Sequence, residues 1–370
     1  MIPVFRPTSG PEEEAAVAEV LRSGWWGLGP KTAEFEARFA EAVGAVHCVG
    51  TNSASMALLL SLTALDLAGR EVITTALTFV STNHAILQAG GTPVFADVDP
   101  HTLTIDPAEI ERLITPRTAA VIAVDYAGHP AELGRIGLLA RAHGLTFVED
   151  AAHACGAVYR GQPVGSIADL TCFSFHAVKN LAMGEGGGIT VADVRTAERL
   201  RRMRWLGLSQ STWERTGGRG YRWDYELEEI GYKGHLSDIP AAIGLVQLRR
   251  LPETNGRRRA IARRYSEGFA GLDWLTRPTE LDHVRSSWHL YVVRVAERNR
   301  FIDHMTGLGV ATSVHYKPNH LYPLYAPYAR TLPVTESVWQ RLVTLPLFPG
   351  LTDDEVEQVI DAVRSFDGEV

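Results

Sequence analysis

Thr171-Cys172-Phe173-Ser174-Phe175-His176-Ala177-Val178-Lys179-Asn180, followed by the glycine-rich run Gly184-Glu185-Gly186-Gly187-Gly188, decides how this chain is read. Thr171–Phe175 is a short β-rich, largely apolar run of the kind that forms a buried strand, and Lys179 stands just past its end. That lysine is one of only four in 370 residues, with Lys31, Lys233 and Lys317, in a chain that otherwise carries its positive charge on arginine. A guanidinium keeps its proton, whereas an amine taken out of water loses its own readily and then attacks an aldehyde or ketone to form a Schiff base. Lys179 is therefore a candidate catalytic amine. From this segment alone, a lysine that merely covers a strand end with its stem is the competing reading.

Outward from that stretch, residues from about 45 to about 245 alternate short β-rich runs with helical patterns, which predicts an α/β fold with a largely parallel sheet covered by helices. Strands are expected at Val46–Val49, Glu71–Thr75, Thr92–Phe95, Ala119–Val124 and Leu145–Val148, with helices at Met56–Leu65, Thr82–Ala89 and Leu133–His143 between them. Ligands in such folds gather at the carboxyl ends of the strands. Beyond Leu251-Pro252 the pattern changes to a helix over residues 257–270, a β-rich piece at Trp288–Val295, a Pro- and Tyr-rich stretch from Lys317 to Pro333 and a closing helix near Asp353–Phe366. Two domains are expected on length: a large one over 1–250, with the N-terminal segment folding back, and a smaller C-terminal α+β one over 251–370. Leu206–Gly231, rich in Trp213, Tyr221, Trp223 and Tyr225, reads as a long functional or interfacial loop.

Composition excludes several classes. The net charge of −7 and the apolar residues among the arginines at 199–204 and 257–259 argue against a nucleic-acid partner. No apolar run reaches the length of a membrane span, and Met1–Pro7 lacks the charged and apolar regions of a signal peptide, so no membrane association and a cytoplasmic location are expected. Cys48, Cys155 and Cys172 sit in apolar segments and suit reduced thiols. Neither His153-Ala154-Cys155 nor the pair His315 and His320 offers the four-ligand spacing of zinc, so no metal is expected.

Four features converge on one cofactor. Thr51-Asn52-Ser53-Ala54-Ser55-Met56 is a small-residue turn opening an apolar helix, and a helix N-terminus presents unpaired N–H groups to a phosphate. Asp150 ends the strand of Gly144–His153, where a carboxylate keeps a pyridine nitrogen protonated: opposite charges at ~4 Å in an effective dielectric of ~20 attract by about 4 kcal/mol, roughly 3 pK units. Phe79 lies past another strand, placed to stack on a flat ring. Lys179, with Ser174 as a phosphate donor, supplies the amine. Each has an ordinary alternative as a cap, a turn former, a core aromatic or a surface lysine. Together they are what pyridoxal 5'-phosphate requires.

The chain resembles the DegT/DnrJ/EryC1/StrS aminotransferases, fold-type I pyridoxal-phosphate enzymes that act mostly on nucleotide-linked keto-sugars. The likeness runs through Ser23-Gly24-Trp25-Trp26-Gly27-Leu28-Gly29-Pro30, Pro93–Pro100, Glu149-Asp150-Ala151-Ala152-His153, Phe173-Ser174-Phe175-His176 with Lys179-Asn180, and Leu345–Thr352. It implies that Lys179 binds the cofactor covalently and then moves the proton, that Asp150 pairs with the ring nitrogen, and that His153 lies near the ring hydroxyl. It further implies that Ala54, Ser55, Met56 and Ser174 bind the phosphate, and that Phe79 covers a ring face. Lys233 would reach the phosphate of a neighbouring subunit, making a homodimer with shared sites. Trp26, His176, His315 and Tyr316 are the implied substrate contacts. Two departures stand out: His235 where relatives carry Arg within Gly231–Leu236, and His153 where many carry Gln.

The resemblance implies transfer of an amino group from glutamate or glutamine to a keto-sugar, with a nucleotide-linked 4-keto-6-deoxyhexose expected. Alternatives are a C3-ketosugar or cyclitol aminotransferase, and a sugar dehydratase of the same family, which carries His at the lysine position. A nicotinamide oxidoreductase needs G-x-G-x-x-G opening a helix, whereas Gly184–Gly188 leads into β-rich Ile189-Thr190-Val191.

Overall fold

The computed structural model describes residues 1–216 and 225–368. Seven strands, β1 (His47–Thr51), β2 (Glu71–Thr75), β3 (Thr92–Ala96), β4 (Thr118–Val124), β5 (Thr146–Asp150), β6 (Leu170–Ser174) and β7 (Gly187–Val191), form one sheet in the order β1-β7-β6-β5-β4-β2-β3. Neighbours pair in parallel except β7, which runs antiparallel to both β1 and β6. Every residue of β2, β6 and β7 is buried, as expected of strands covered by helices on both faces. The glycine run is thus the start of a strand. A Cβ on Gly187 would lie 2.4 Å from the carbonyl carbon of Ser53. Glycine there lets β7 pass against the turn that follows β1.

Helices α1 (Pro11–Ser23) and α2 (Pro30–Ala42) precede β1, and α3 (Ala54–Thr63) and α4 (Val80–Gln88) alternate with the next strands. Because α3 follows β1 and α4 follows β2, both N-termini lie at the carboxyl edge of the sheet. Ser53 caps α3, its hydroxyl accepting from the Met56 N–H at 3.2 Å.

The helix expected over 257–270 is much longer and runs unbroken from Asp238 to Gly268 through Pro252. Proline removes one ladder donor and crowds the preceding turn, at a cost of about 3 kcal/mol in a helix interior, which is why the sequence reads as a break. Tertiary ties on the N-terminal side override it. The Asp238 carboxylate accepts the N–H groups of Lys31 and Thr32, capping α2 from another element. Glu13 of α1 is buried and accepts from Gln247 at 2.8 Å and Arg250 at 2.9 Å.

The C-terminal half of the long helix packs on a second sheet, Leu275–Thr276, Tyr291–Val295 and Leu342–Leu345, with the helix Asp353–Arg364. Ile2 belongs to this second core and pairs with Val310. The Pro- and Tyr-rich stretch folds into 3-10 turns at Asn319–Leu321 and Pro323–Tyr328, and Asn319 Oδ1 accepts from Asn83 Nδ2 of α4 at 2.8 Å. In the aromatic loop, Trp213 meets Trp25 edge-on and Arg215 lies over the Tyr225 ring, while Tyr221 and Trp223 fall outside the described residues. Among the described residues no helix is long and apolar enough to cross a membrane.

Candidate active site

A cavity of about 380 Å³ opens where β5, β6 and the N-termini of α3 and α4 meet. It draws together Ala54, Ser55, Phe79, Asp150, His153, Ser174, His176, Lys179, His315 and Tyr316, ten of the expected residues, from five separate stretches of chain. The strand register explains part of this. Asp150 pairs with Cys172 across β5 and β6, so the end of β5 faces the segment that carries Ser174 and Lys179.

Lys179 is half-buried at the cavity wall, and desolvation of its amine pushes its pKa down to about 8 against the pull of the Asp150 charge. Asp150 is 4% exposed and burial raises its carboxyl. Opposing that, Thr82 Oγ1 donates to Oδ2 at 2.7 Å, the Ala152 N–H donates to Oδ1 at 3.2 Å, and Lys179 lies nearby. His153 is buried and held well below the usual imidazole range, first by desolvation and then by Lys179 and His315. Its Nε2 lies 3.1 Å from the Tyr316 hydroxyl, while its buried Nδ1 has no partner among the described residues. His315 is lowered to about 4 by burial and by Lys179, and its Nδ1 sits 2.8 Å from Thr344 Oγ1.

Phe79 is 56% exposed and borders the cavity, so it is not the core aromatic that hydrophobicity would suggest. At the mouth of α3, Ser55 Oγ donates to Ser81 Oγ at 2.8 Å. The first-turn N–H groups of Ala54 and Ser55 have no intrahelical acceptor and remain as donors.

Three expected residues stand apart from the cavity. Met56 spends its N–H on the Ser53 cap and turns its side chain against Gly234. Lys233 places its ammonium 3.4 Å from the centre of the Trp205 ring, where partial burial lowers its pKa from the ordinary amine value. Trp26 is 54% exposed and donates its indole N–H to the Leu21 carbonyl at 3.3 Å. His235, the departure from the arginine of relatives, packs edge-on against Trp205 with its pKa lowered to about 4 by burial, then by Lys233 and Arg204. The residues that sequence reading missed are Ser81, Thr82 and, beside the lysine, His289. Only Ser81 and Thr82 carried a local signal, as small polar residues at a helix start following a strand.

The residues present fit pyridoxal phosphate. An unpartnered buried Nδ1 on His153, a supported carboxylate, a desolvated amine, an exposed aromatic face and two helix N-termini surround one cavity. Among the described residues no group of three or more His, Cys, Asp or Glu could hold a metal ion.

Residues 7–364 match the DegT/DnrJ/EryC1/StrS aminotransferase family, and the chain belongs to it. It is 42% identical over 375 residues to the spore coat polysaccharide biosynthesis protein SpsC of Bacillus subtilis, covering 98% of this chain and 96% of SpsC. The sugar aminotransferase CalS13 from Micromonospora echinospora superposes with a TM-score of 0.92 at 34% identity, over 99% of this chain and 100% of CalS13. Spr1654 from Streptococcus pneumoniae, solved in PLP and PMP forms, matches in its PLP form with a TM-score of 0.90 at 34% identity, over 98% of both chains. The fold is therefore that of the fold-type I aminotransferases, and the chain is a sugar aminotransferase by family.

Proposed function

We propose that this chain is a pyridoxal-phosphate enzyme that moves the amino group of glutamate onto a nucleotide-linked 4-keto-6-deoxyhexose. The observation that carries the reading is the desolvated Lys179 amine, close enough to the buried Asp150 to feel its charge, in a cavity also bordered by Phe79 and the unpartnered His153 Nδ1. When bound, the cofactor supplies an aldehyde that takes up an amine covalently and a ring that withdraws electrons from the carbon giving up its proton.

The protein's part follows from its own atoms. Asp150, its carboxylate form favoured by Thr82 and Ala152, would hold a proton on the ring nitrogen. His153 Nδ1 would be the donor left for the ring oxygen, since its Nε2 is tied to Tyr316. The N–H groups of Ala54 and Ser55, with Ser174, would take the phosphate, and Phe79 would cover a ring face. Lys179 Nζ would hold the cofactor and accept and return the proton that the reaction moves. With a pKa of about 8 it is neutral often enough near neutral pH to accept one and basic enough to hold it. His176, His315 and Tyr316 border the substrate space. The cofactor-binding part is assigned to residues 1–250 and the smaller part to 251–370, joined by the long helix.

Two copies are proposed to share each site, with Lys233, outside its own chain's cavity, reaching the neighbour's phosphate, in a cytoplasmic homodimer. The test is direct. Purified enzyme is converted with glutamate to the pyridoxamine form and offered a panel of nucleotide keto-sugars. Return of the aldehyde-form absorbance with a 4-keto-6-deoxyhexose supports the reading. A response only to C3-ketosugars or cyclitols replaces that substrate, and near-normal amination by Lys179→Ala removes the assignment of the amine.

A further inference from the structure

A second void of about 50 Å³ adjoins the larger cavity, sharing Lys179, His315 and Tyr316 with it, and is lined on its far side by His289, Val4, Phe5 and Leu347. His289 does not border the larger cavity. Its Nε2 lies 3.4 Å from Lys179 Nζ, and its ring is at the end of a buried chain of side-chain hydrogen bonds whose directions are all fixed by one carbonyl.

The Cys155 carbonyl can only accept, so the Asn255 amide group facing it at 2.9 Å is the NH2 end. Asn255 therefore turns its Oδ1 toward Asn180, whose Nδ2 donates to it at 2.8 Å and to the Ser287 carbonyl at 2.8 Å. That leaves Asn180 Oδ1 facing His289 Nδ1 at 3.1 Å, and an amide oxygen can only accept. The proton on the neutral imidazole is consequently on Nδ1, and the lone pair is on Nε2, pointed at the lysine. A second proton on the ring is opposed from every side. Burial is the largest cause, holding the imidazole well below its usual range, and Lys179, His153, Arg258 and His315, the titratable and charged groups that face His289, add to it.

We propose that His289 is the positioning residue of the catalytic lysine: locked by Asn180 and Asn255 with its proton on Nδ1, it accepts an N–H of Lys179 Nζ and thereby holds the amine from behind, leaving the amine's own lone pair for the cavity. This rests on Lys179 being the amine of the proposed function, but the lock itself is a property of the chain. Asn180 and Asn255 are the link that makes the lysine's orientation depend on the long helix, since Asn255 lies within it.

The test reads the ring and the amine separately. Nitrogen NMR of the wild-type full chain, with and without cofactor, reports which ring nitrogen of His289 is protonated. The expected result is a neutral ring with its proton on Nδ1 throughout about pH 5 to 8, the range in which an unperturbed imidazole changes charge. A ring protonated on Nε2, or a charged ring, overturns the proposal. In the second experiment His289→Phe keeps the ring shape and removes the acceptor. The pH midpoint at which an acylating reagent modifies Lys179, followed by peptide mass spectrometry, should move down by about one unit, because the ammonium has lost a hydrogen-bond acceptor. An unchanged midpoint overturns it. In the loaded enzyme the same variant should lose about tenfold in kcat with the glutamate KM within a factor of about two, the pattern of a group acting only through the lysine. If the chain fails to take up cofactor at all, the proposed function falls while the ring and amine readouts still decide the lock. If the variant fails to fold, the wild-type spectrum decides it.

Discussion

At the scale of single residues the site is a set of opposed electrostatic costs. Burial raises the Asp150 carboxyl and lowers the Lys179 amine, and each is drawn back by the other's charge. Thr82 tips that balance, because its short bond to Oδ2 acts on the carboxylate form. Thr82→Val, which keeps the shape and removes the hydroxyl, should cost about 1–3 kcal/mol of stability near neutral pH and about tenfold in kcat, as expected for a hydrogen bond to a buried charged group. Urea unfolding and steady-state kinetics check it. An unchanged kcat would mean that Asp150 needs no help to stay ionised.

Lys179 also has a sign in pH. Its pKa falls from 10.5 unfolded to about 8 folded, so over that interval the unfolded chain holds the extra proton and stability rises with pH. Cofactor-free wild type should therefore gain on Lys179→Met between about pH 7 and about pH 9. A constant difference in their urea midpoints would show that the amine is not desolvated.

At the scale of elements, the long helix does more than link two cores. Gly244 lies within it, where glycine costs about 1 kcal/mol relative to alanine. A Cβ there would stand 2.3 Å from Met183 Cε and 2.9 Å from Phe35 Cε2. Phe35 belongs to α2, and Met183 follows the lysine segment by a few residues, so a wider spacing would displace the wall beneath the site. Overpacking of this kind costs about 1–3 kcal/mol, which exceeds the gain in helix propensity. Gly244→Ala should thus lower stability by about 1–2 kcal/mol on denaturant unfolding. Stabilisation would show that the helix has room to move outward. The same helix was misread at its start, because Pro252 looks like a terminator when only local rules apply. The ties of Asp238 to α2 and of Glu13 to Arg250 are more than 200 residues distant in sequence, and no periodicity announces them.

At the scale of the whole molecule the question is whether one chain makes a complete site. Lys233 sits on Trp205, outside the cavity its own chain encloses. If two copies share sites, Lys179→Ala and Lys233→Ala are each impaired alone, and mixing them after reversible dissociation should restore activity. In a randomly reassorted two-fold dimer about a quarter of the sites would carry both native lysines. Sedimentation should show twice the 40.5 kDa chain mass. A monomer, or mixing without recovery, would assign Lys233 to its own chain's stability instead.

Much of this was legible in order along the chain. The alternation of β-rich and helical segments set out the parallel sheet, and Lys179, Asp150, Ser174 and the Ser53–Ser55 turn were identifiable because each follows a strand, where such folds expose chemistry. Met56 came from the resemblance, and in the folded chain a Ser cap three residues upstream accepts its N–H. Phe79, read from its place past a strand as a ring-stacking candidate with a core aromatic as the ordinary alternative, is a cavity wall, since exposure is set by what fails to cover a residue.

The sequence by itself determined which groups are available and on which strand ends they sit, because backbone periodicity and residue chemistry are local properties. Only the tertiary structure decided that Thr82 holds Asp150, that Asp238 caps α2, and that Cys155, Asn255, Asn180 and His289 line up behind Lys179. Those contacts join segments as much as about 200 residues apart, and the direction of each hydrogen bond is fixed only once all its partners are buried together.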